Sequence, residues 1–194
     1  MTTHIALDCA CDTRPHFADM KAAGVTHVIR YFGSRKWKCA SRAECDALRA
    51  AGFRIVSVYE TTADMMAGGF TAGVDGAQKA MAGILVAGGP DHPFIYFAND
   101  TSIVKPSVAC EYLDGAASVI GVQHVGLYGG FAWCEKALVE GHAERAWQTV
   151  AWSHGRRLTT AALYQRGGRV PGLKFDHDRN DVLTADGNVG EWPA

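Results

Sequence analysis

Residues 93–102 read PFIYFANDTS and combine a buried strand with a carboxylate at the end of that strand. The run Ile95 to Ala98 is short and rich in β-branched and aromatic residues, which is typical of a strand covered on both faces. The polar residues Asn99 to Ser102 suit a loop that leads into a helix. Barrels and open α/β sheets place their active sites at the carboxyl ends of such strands. Asp100 is therefore the first candidate site residue.

The rest of the chain repeats this strand and helix pattern. Further strands are predicted over residues 4–7, 25–31, 53–59, 122–128, 147–152, 161–165 and 173–176, with helices over about 13–23, 41–51, 72–87, 107–119 and 132–146. Repeating units of this kind indicate a parallel sheet. About eight strands predict one α/β domain over residues 1–194, a modified TIM-like (β/α)8 barrel whose last helices are short or missing. An open doubly wound sheet is the alternative, but it requires a helix between Trp152 and Ala161, where the sequence is typical of a loop.

Composition excludes several classes of partner. The chain has 194 residues, of which 48% are hydrophobic and 20% charged, as in an ordinary globular protein. A formal net charge of −1 gives no electrostatic reason to expect nucleic acid or an anionic membrane as a partner. No segment is apolar for long enough to cross a bilayer, so membrane insertion is not expected.

The first residues, MTTHIALDCACD, predict synthesis in the cytoplasm without a signal peptide. A monomer is expected.

The residues that could bind a metal do not form a convincing set. The six cysteines are predicted to be reduced thiols. Cys9 and Cys11 are two residues apart at the end of a predicted strand, which points their side chains to opposite faces and argues against a zinc site. The acidic segment DHDRND, residues 176–181, contains ligand types for a hard cation, but a polar loop is favoured there. No metal and no other cofactor is therefore expected.

Carboxylates recur at the ends of the predicted strands. Asp8, Glu60 and Asp100 each follow a strand, and Asp176 is predicted to end another. All such ends lie on one face of a parallel barrel, so acids that are distant in sequence would converge there. A pair of carboxylates is the minimum apparatus for glycoside hydrolysis. Side chains suited to stacking on a sugar or bonding to its hydroxyls occur at the same ends, and the candidates are Arg30, Tyr31, Tyr96, Tyr128, Trp152, Gln165 and Asp176.

The order of several short motifs resembles a known family, the glycoside-hydrolase-like domain of actinobacteria and their phages, also called domain of unknown function 1906. The motifs are LDCA, VTHVIRYF, IVSVYE, GFTAGVDGAQKA, FIYFAND, VGLYGGF and WQTVAWS. That domain is similar to the family 25 muramidases, which fold as a modified barrel and cleave the glycan of peptidoglycan. The resemblance implies a peptidoglycan glycosidase, a phage endolysin or related lytic enzyme that reaches the wall after release from the cell.

The chain departs from the muramidase pattern at one carboxylate. By position, Asp8 resembles the first-strand Asp of the muramidases, and the FAND strand resembles the strand that bears their Asp-x-Glu pair. If Asp100 takes the first acidic position, the second is Ser102, and if it takes the second, the first is Ala98. Glu60 is the substitute found in the glycoside-hydrolase-like pattern. The implied catalytic set is Asp8, Glu60 and Asp100, with Glu60 or Asp100 as the general acid.

Two alternatives to this enzyme stay open at the level of sequence. The missing carboxylate is compatible with a degenerate barrel that binds wall glycan without cleaving it. A metal-dependent hydrolase that uses Asp8 and the DHDRND segment is a third, less favoured hypothesis.

Overall fold

Eight short strands close into a barrel and lie around it in the order in which they occur in the chain. The computed structural model describes residues 4–193. The strands are β1 Ile5–Asp8, β2 Val25–Tyr31, β3 Arg54–Tyr59, β4 Ile95–Ala98, β5 Val125–Gly129, β6 Arg145–Thr149, β7 Leu163–Gln165 and β8 Asp178–Val182. The α-helices are α1 Phe17–Ala22, α2 Arg42–Ala50, α3 Gly69–Val86, α4 Pro106–Ile120 and α5 Phe131–Val139. The predicted α/β barrel is confirmed.

Helices follow only the first five strands of the barrel. Over residues 4–193, no α-helix lies between β6 and β7 or between β7 and β8, and loops make both connections. The prediction that the last helices are short or missing is confirmed, and the open doubly wound sheet is excluded by the closed barrel. Among the helices of the described part of the chain, none combines the length and the apolar character needed to span a membrane.

The last strand is what modifies the barrel. β8 is antiparallel to both of its neighbours, β1 and β7, whereas the strands from β1 to β7 are parallel to one another. The first residue of β8 therefore lies at the same face as the carboxyl ends of the other strands. The predicted strand over residues 173–176 is wrong, because these residues form a loop and the strand begins at Asp178. The sequence of β8 is DRNDV, and no helix covers its outward side chains, so a search for apolar runs misses it.

The predicted helix over residues 132–146 is too long. α5 ends at Val139, and Gly141 then adopts a φ of 78°, a left-handed conformation that turns the chain out of the helix. Residues Arg145–Thr149 form β6, which begins and ends earlier than the predicted strand over 147–152.

Aromatic side chains fill the amino-terminal half of the barrel interior. The rings of Tyr96 and Trp147 pack edge to face with centroids 6.0 Å apart. The Tyr96 hydroxyl donates to the carbonyl oxygen of Val189 at 2.9 Å, away from the carboxyl face. Gly126 makes room for this packing, because a Cβ atom there would lie 2.5 Å from the Tyr96 ring. The open space of the barrel is therefore confined to its carboxyl end.

Candidate active site

A pocket of about 210 Å³ opens at the carboxyl ends of the strands. It is lined by Asp8, Tyr31, Val58, Glu60, Ala98, Asp100, Tyr128, Trp147, Thr149, Ala151, Gln165 and Asp178. The three predicted catalytic acids thus come together: Asp8 ends β1, Glu60 directly follows β3, and Asp100 lies two residues after β4. Three of the predicted binding residues, Tyr31, Tyr128 and Gln165, also line this pocket.

Asp8 is the most deeply buried of these acids, with an exposed fraction of 7%. Its Oδ2 atom accepts two hydrogen bonds, from Gln165 Nε2 at 3.1 Å and from Asn180 Nδ2 at 2.7 Å. Burial raises the pKa of Asp8 to about 7, and the negative charges of Asp178 and Asp100 act in the same direction, against the two amide donors. Near neutral pH the Asp8 carboxyl therefore exchanges readily between its neutral and charged forms.

A hydrogen-bond network fixes the partners of Asp8. Trp147 Nε1 donates to Asn180 Oδ1 at 2.7 Å, and Thr149 Oγ1 donates to Gln165 Oε1 at 3.0 Å. Each amide oxygen is therefore held as an acceptor, which turns the amide nitrogen toward Asp8. The orientation of the Asp8 carboxyl follows from these contacts.

Tyr128 connects this network to Asp100. Its hydroxyl lies 2.8 Å from Gln165 Oε1 and 3.3 Å from Asp100 Oδ1, and its single proton can be donated to only one of them at a time. Burial raises the pKa of Asp100, and the charge of Glu60 contributes in the same direction. The two acids are therefore close enough to interact electrostatically.

Glu60 has a cationic partner, unlike Asp8. Lys38 Nζ lies 3.0 Å from Glu60 Oε2, and the same ammonium group lies 4.3 Å from the centre of the Tyr31 ring. Lys38 is only 7% exposed, so this ion pair is largely shielded from solvent. A hydrogen bond between an ammonium group and a carboxylate is stronger than one between neutral groups, so Lys38 helps to fix the Glu60 side chain.

Asp178 is a pocket acid that the sequence reasoning missed. It lies opposite Asp8 in the antiparallel pairing of β1 with β8. Burial raises the pKa of Asp178, and the charge of Asp176 adds to that effect. The predicted strand-end acid Asp176 lies instead in the loop before β8, where it is 93% exposed and contacts Arg169 at 2.8 Å. The alternation of Asp178, Asn180 and Val182 was the available signal for this strand.

A second, smaller cavity of about 170 Å³ adjoins the pocket, and we call it the side cavity. It is lined by Asp8, Cys9, Ala10, Tyr31, Asp176, His177 and Asp178. Asp8, Tyr31 and Asp178 line both spaces. The predicted binding residue Asp176 thus contributes to the side cavity and not to the main pocket.

The structure places three other predicted binding residues outside both cavities. Arg30 lies outside the barrel between β2 and α2, where its guanidinium donates to both carboxylate oxygens of Glu44 at 2.9 and 3.1 Å. Tyr96 points toward the amino-terminal end of the barrel. Trp152, in the loop after β6, has a φ of 55° and packs against the core outside the barrel.

The cysteines are all free thiols. The loop after β1 brings Cys9 and Cys11 closer than a regular strand would, with Cys9 Sγ 3.5 Å from the carbonyl oxygen of Cys11. Across residues 4–193, no group of three or more His, Cys, Asp or Glu side chains has the geometry to hold a metal ion.

Comparison with known proteins identifies the family. A family model described as "Rv2525c-like, glycoside hydrolase-like domain" matches residues 18–182. The chain belongs to this family. The resemblance predicted from the sequence motifs is therefore confirmed.

The chain is similar to a mycobacterial protein both in sequence and in structure. Rv2525c of Mycobacterium tuberculosis, described as a candidate peptidoglycan hydrolase, is 32% identical over 203 residues, which cover 96% of this chain and 82% of the relative. A crystal structure of the Tat-secreted protein Rv2525c in complex with L-tartrate is 28% identical, has a TM-score of 0.82, and is matched over 97% of this chain and 98% of that one.

The same fold occurs in a phage enzyme. The catalytic domain of endolysin ply40 from bacteriophage P40 of Listeria monocytogenes has a TM-score of 0.64 at 16% identity, with 96% of this chain and 95% of that chain covered. At this level of identity the likeness concerns the fold.

The localisation expected from the sequence is corrected by the comparison. The sequence predicted a protein without a signal peptide that acts on the wall after release from the cell, whereas the related Rv2525c is a Tat-secreted protein. The prediction failed because the composition of the first residues is a weak guide to how a wall-directed protein leaves the cell.

Proposed function

We propose that this protein is a muramidase-like glycoside hydrolase that acts on peptidoglycan or a related cell-wall glycan. The observation that carries the proposal is the convergence of Asp8, Glu60 and Asp100, from three different strands, on one pocket at the carboxyl face of the barrel. Membership of a glycoside hydrolase-like family and the description of Rv2525c support it.

The acids of the pocket differ in their surroundings, as glycoside hydrolysis needs. One carboxyl group must be neutral to protonate the leaving oxygen, and another must be charged to activate water or to stabilise the cationic transition state. Burial raises the pKa of Asp8 and of Asp100, whereas Glu60 forms an ion pair with Lys38 at 3.0 Å. Acids with such different environments can serve as acid and base at one pH.

The remaining wall of the pocket suits a sugar. Tyr31 and Tyr128 provide aromatic surface, and Gln165 and Thr149 provide polar groups that are already held by hydrogen bonds. Side chains that are fixed before the ligand arrives lose little conformational entropy when it binds. An enzyme that acts on the wall polymer must be exported from the cytoplasm. Tat secretion of Rv2525c supports an extracytoplasmic role for this chain as well.

A binding module without activity is the second candidate. It is favoured by the absence of one carboxylate of the Asp-x-Glu pair, because the partner position of Asp100 is Ser102 in one register and Ala98 in the other. Glu60 from the neighbouring strand β3 compensates for this loss in the enzyme hypothesis.

The direct test is release of new reducing ends from purified actinobacterial peptidoglycan. We expect release by the wild type and a loss of about 10²- to 10⁴-fold in Glu60→Gln and in Asp100→Asn. Asp91→Asn is the matched control, because Asp91 is exposed in the loop before β4, at the opposite end of the barrel. Cosedimentation of the wild type with insoluble peptidoglycan, without product, would support the binding module instead. Equal release by all four proteins would refute the assigned site.

A further inference from the structure

We propose that Asp8 is the general acid that protonates the departing sugar, and that the side cavity binds this leaving group. The inference rests on the proposed function and adds to it the identity of the proton donor and the position of the scissile bond. Neither follows from the sequence, which suggested Glu60 or Asp100 as the acid.

The first ground is the position of Asp8 between two spaces. A general acid must reach the oxygen that joins the two sugars, so it has to lie where their binding sites meet. Asp8 and Asp178 line both the main pocket and the side cavity, and of these two acids Asp8 is the one held in place by two amide donors. Glu60 and Asp100 line only the main pocket, so they face the sugar that undergoes attack and not the one that leaves.

The second ground is the asymmetry of the Asp8 carboxyl group. Both amide donors, from Gln165 and Asn180, bond to Oδ2. Among the described residues 4–193, no protein group forms a hydrogen bond with Oδ1. In a neutral carboxyl group the carbonyl oxygen accepts and the hydroxyl donates. Oδ2 is thus held as the carbonyl oxygen, and Oδ1 is left to carry the proton and donate it to a substrate.

The electrostatic surroundings of Asp8 agree with this geometry. Its neighbours Asp100 and Asp178 are acids, and neither side-chain donor to its carboxyl is charged. Glu60 differs, because Lys38 Nζ lies 3.0 Å from it. Asp8 therefore lies among acids and neutral donors while Glu60 lies beside a cation, and such different surroundings suit a division of roles between acid and base.

The chemistry of the side cavity suits a sugar ring. His177 is 5% exposed, and both of its ring nitrogens form hydrogen bonds. Nε2 accepts from the backbone N–H of Val170 at 2.9 Å. Nδ1 therefore carries the hydrogen, and it donates to the carbonyl oxygen of Phe175 at 2.9 Å. These two contacts fix the ring, which serves as a flat wall of the side cavity. The Asp176 carboxylate beside it is exposed and can accept hydrogen bonds from sugar hydroxyls.

In the proposed step Asp8 gives up one proton and Glu60 takes up another. The bond between the anomeric carbon and the bridging oxygen breaks with its electron pair on oxygen, which takes the proton from Asp8 Oδ1. Asp8 is left as a carboxylate, and the sugar in the side cavity leaves as an alcohol. A water molecule adds to the anomeric carbon and passes a proton to Glu60. Exchange with solvent then returns Asp8 and Glu60 to their starting forms.

A comparison of two leaving groups tests the role of Asp8. Dinitrophenolate departs without a proton, whereas a sugar needs one, so a general acid matters only for the second. For Asp8→Asn we expect a loss of about 10²- to 10⁴-fold on peptidoglycan and retention of most of the wild-type rate on the dinitrophenyl glycoside of a cell-wall disaccharide. Equal losses on both substrates, in a variant whose circular dichroism matches the wild type, would overturn the proposal. A wild type that cleaves neither substrate would refute the proposed function itself.

A second variant tests the side cavity. Asp176→Ala should raise KM for peptidoglycan by a larger factor than KM for the dinitrophenyl glycoside, because the second substrate has no leaving sugar whose hydroxyls this carboxylate could bind. Asp91→Ala removes an exposed acid far from the pocket and is expected to change neither. Equal KM values for Asp176→Ala and the wild type on peptidoglycan, or equal effects on both substrates, would overturn the assignment of the side cavity.

Discussion

Replacing Asp8 with asparagine is expected to stabilise the protein at alkaline pH, although Asp8 belongs to the proposed active site. Burial raises the pKa of Asp8 from 3.8 to about 7. Between these two values the folded chain binds more protons than the unfolded chain, so stability falls as pH rises through this window. Above about pH 7 the folded chain carries a buried carboxylate whose side-chain donors are the neutral amides of Gln165 and Asn180. Asparagine removes that charge.

The magnitude follows from the difference between the two pKa values of Asp8. At about 1.36 kcal/mol per pKa unit, ionising Asp8 costs about 4 kcal/mol more in the folded chain than in the unfolded chain. Asparagine keeps an oxygen that can accept from Gln165 and Asn180. The free energy of unfolding of Asp8→Asn should therefore exceed that of the wild type by up to about 4 kcal/mol at about pH 8, and by almost nothing at about pH 4.

Urea denaturation followed by circular dichroism, at several pH values across this range, measures the difference. The matched control is Asp91→Asn, the same substitution at an exposed acid, for which no comparable gain at high pH is expected. A gain that is the same at every pH would point to packing and not to charge. An Asp8→Asn variant that is less stable than the wild type at about pH 8 would refute the reasoning.

Three further outcomes are expected. The kcat/KM for peptidoglycan should fall as pH rises through about 7, because the neutral form of Asp8 is lost, and a pH profile of reducing-end release checks this. Arg30→Met should lower the free energy of unfolding by about 3–5 kcal/mol, because it leaves the buried carboxylate of Glu44 unpaired, and urea denaturation against the wild type measures it. Gly126→Ala should cost about 1–3 kcal/mol in the same assay, since its Cβ would lie 2.5 Å from the Tyr96 ring.

The first five strands were predictable because their apolar sequences match the buried positions that they occupy in the barrel. Each is a short apolar run covered by barrel interior on one side and a helix on the other, and each is followed by a helix that the sequence marks clearly. Parallel strands bring their carboxyl ends to one face. For this reason Asp8, Glu60 and Asp100 could be grouped without any knowledge of distances.

The errors among the binding residues come from side-chain direction and depth. Arg30 and Tyr31 are adjacent in β2, so they point to opposite faces of the sheet, and only Tyr31 reaches the pocket. Tyr96 faces the interior but lies four residues before Asp100. At the rise per residue of an extended strand, this separation places Tyr96 about 13 Å deeper in the barrel than Asp100. The alternation within strands could have excluded Arg30, and distance along the chain could have excluded Tyr96.

The failure at β8 has a functional cause. Asn180 faces the barrel interior, where an apolar residue would be expected, and it is fully buried. Its side chain donates to Asp8 and accepts from Trp147. Local sequence rules tend to fail at functional sites. Asn180, one of the polar residues that hide β8 from an apolar search, is thus also a donor to the proposed acid. The antiparallel direction of β8 also places Asp178 opposite Asp8, where its charge favours the neutral form of Asp8.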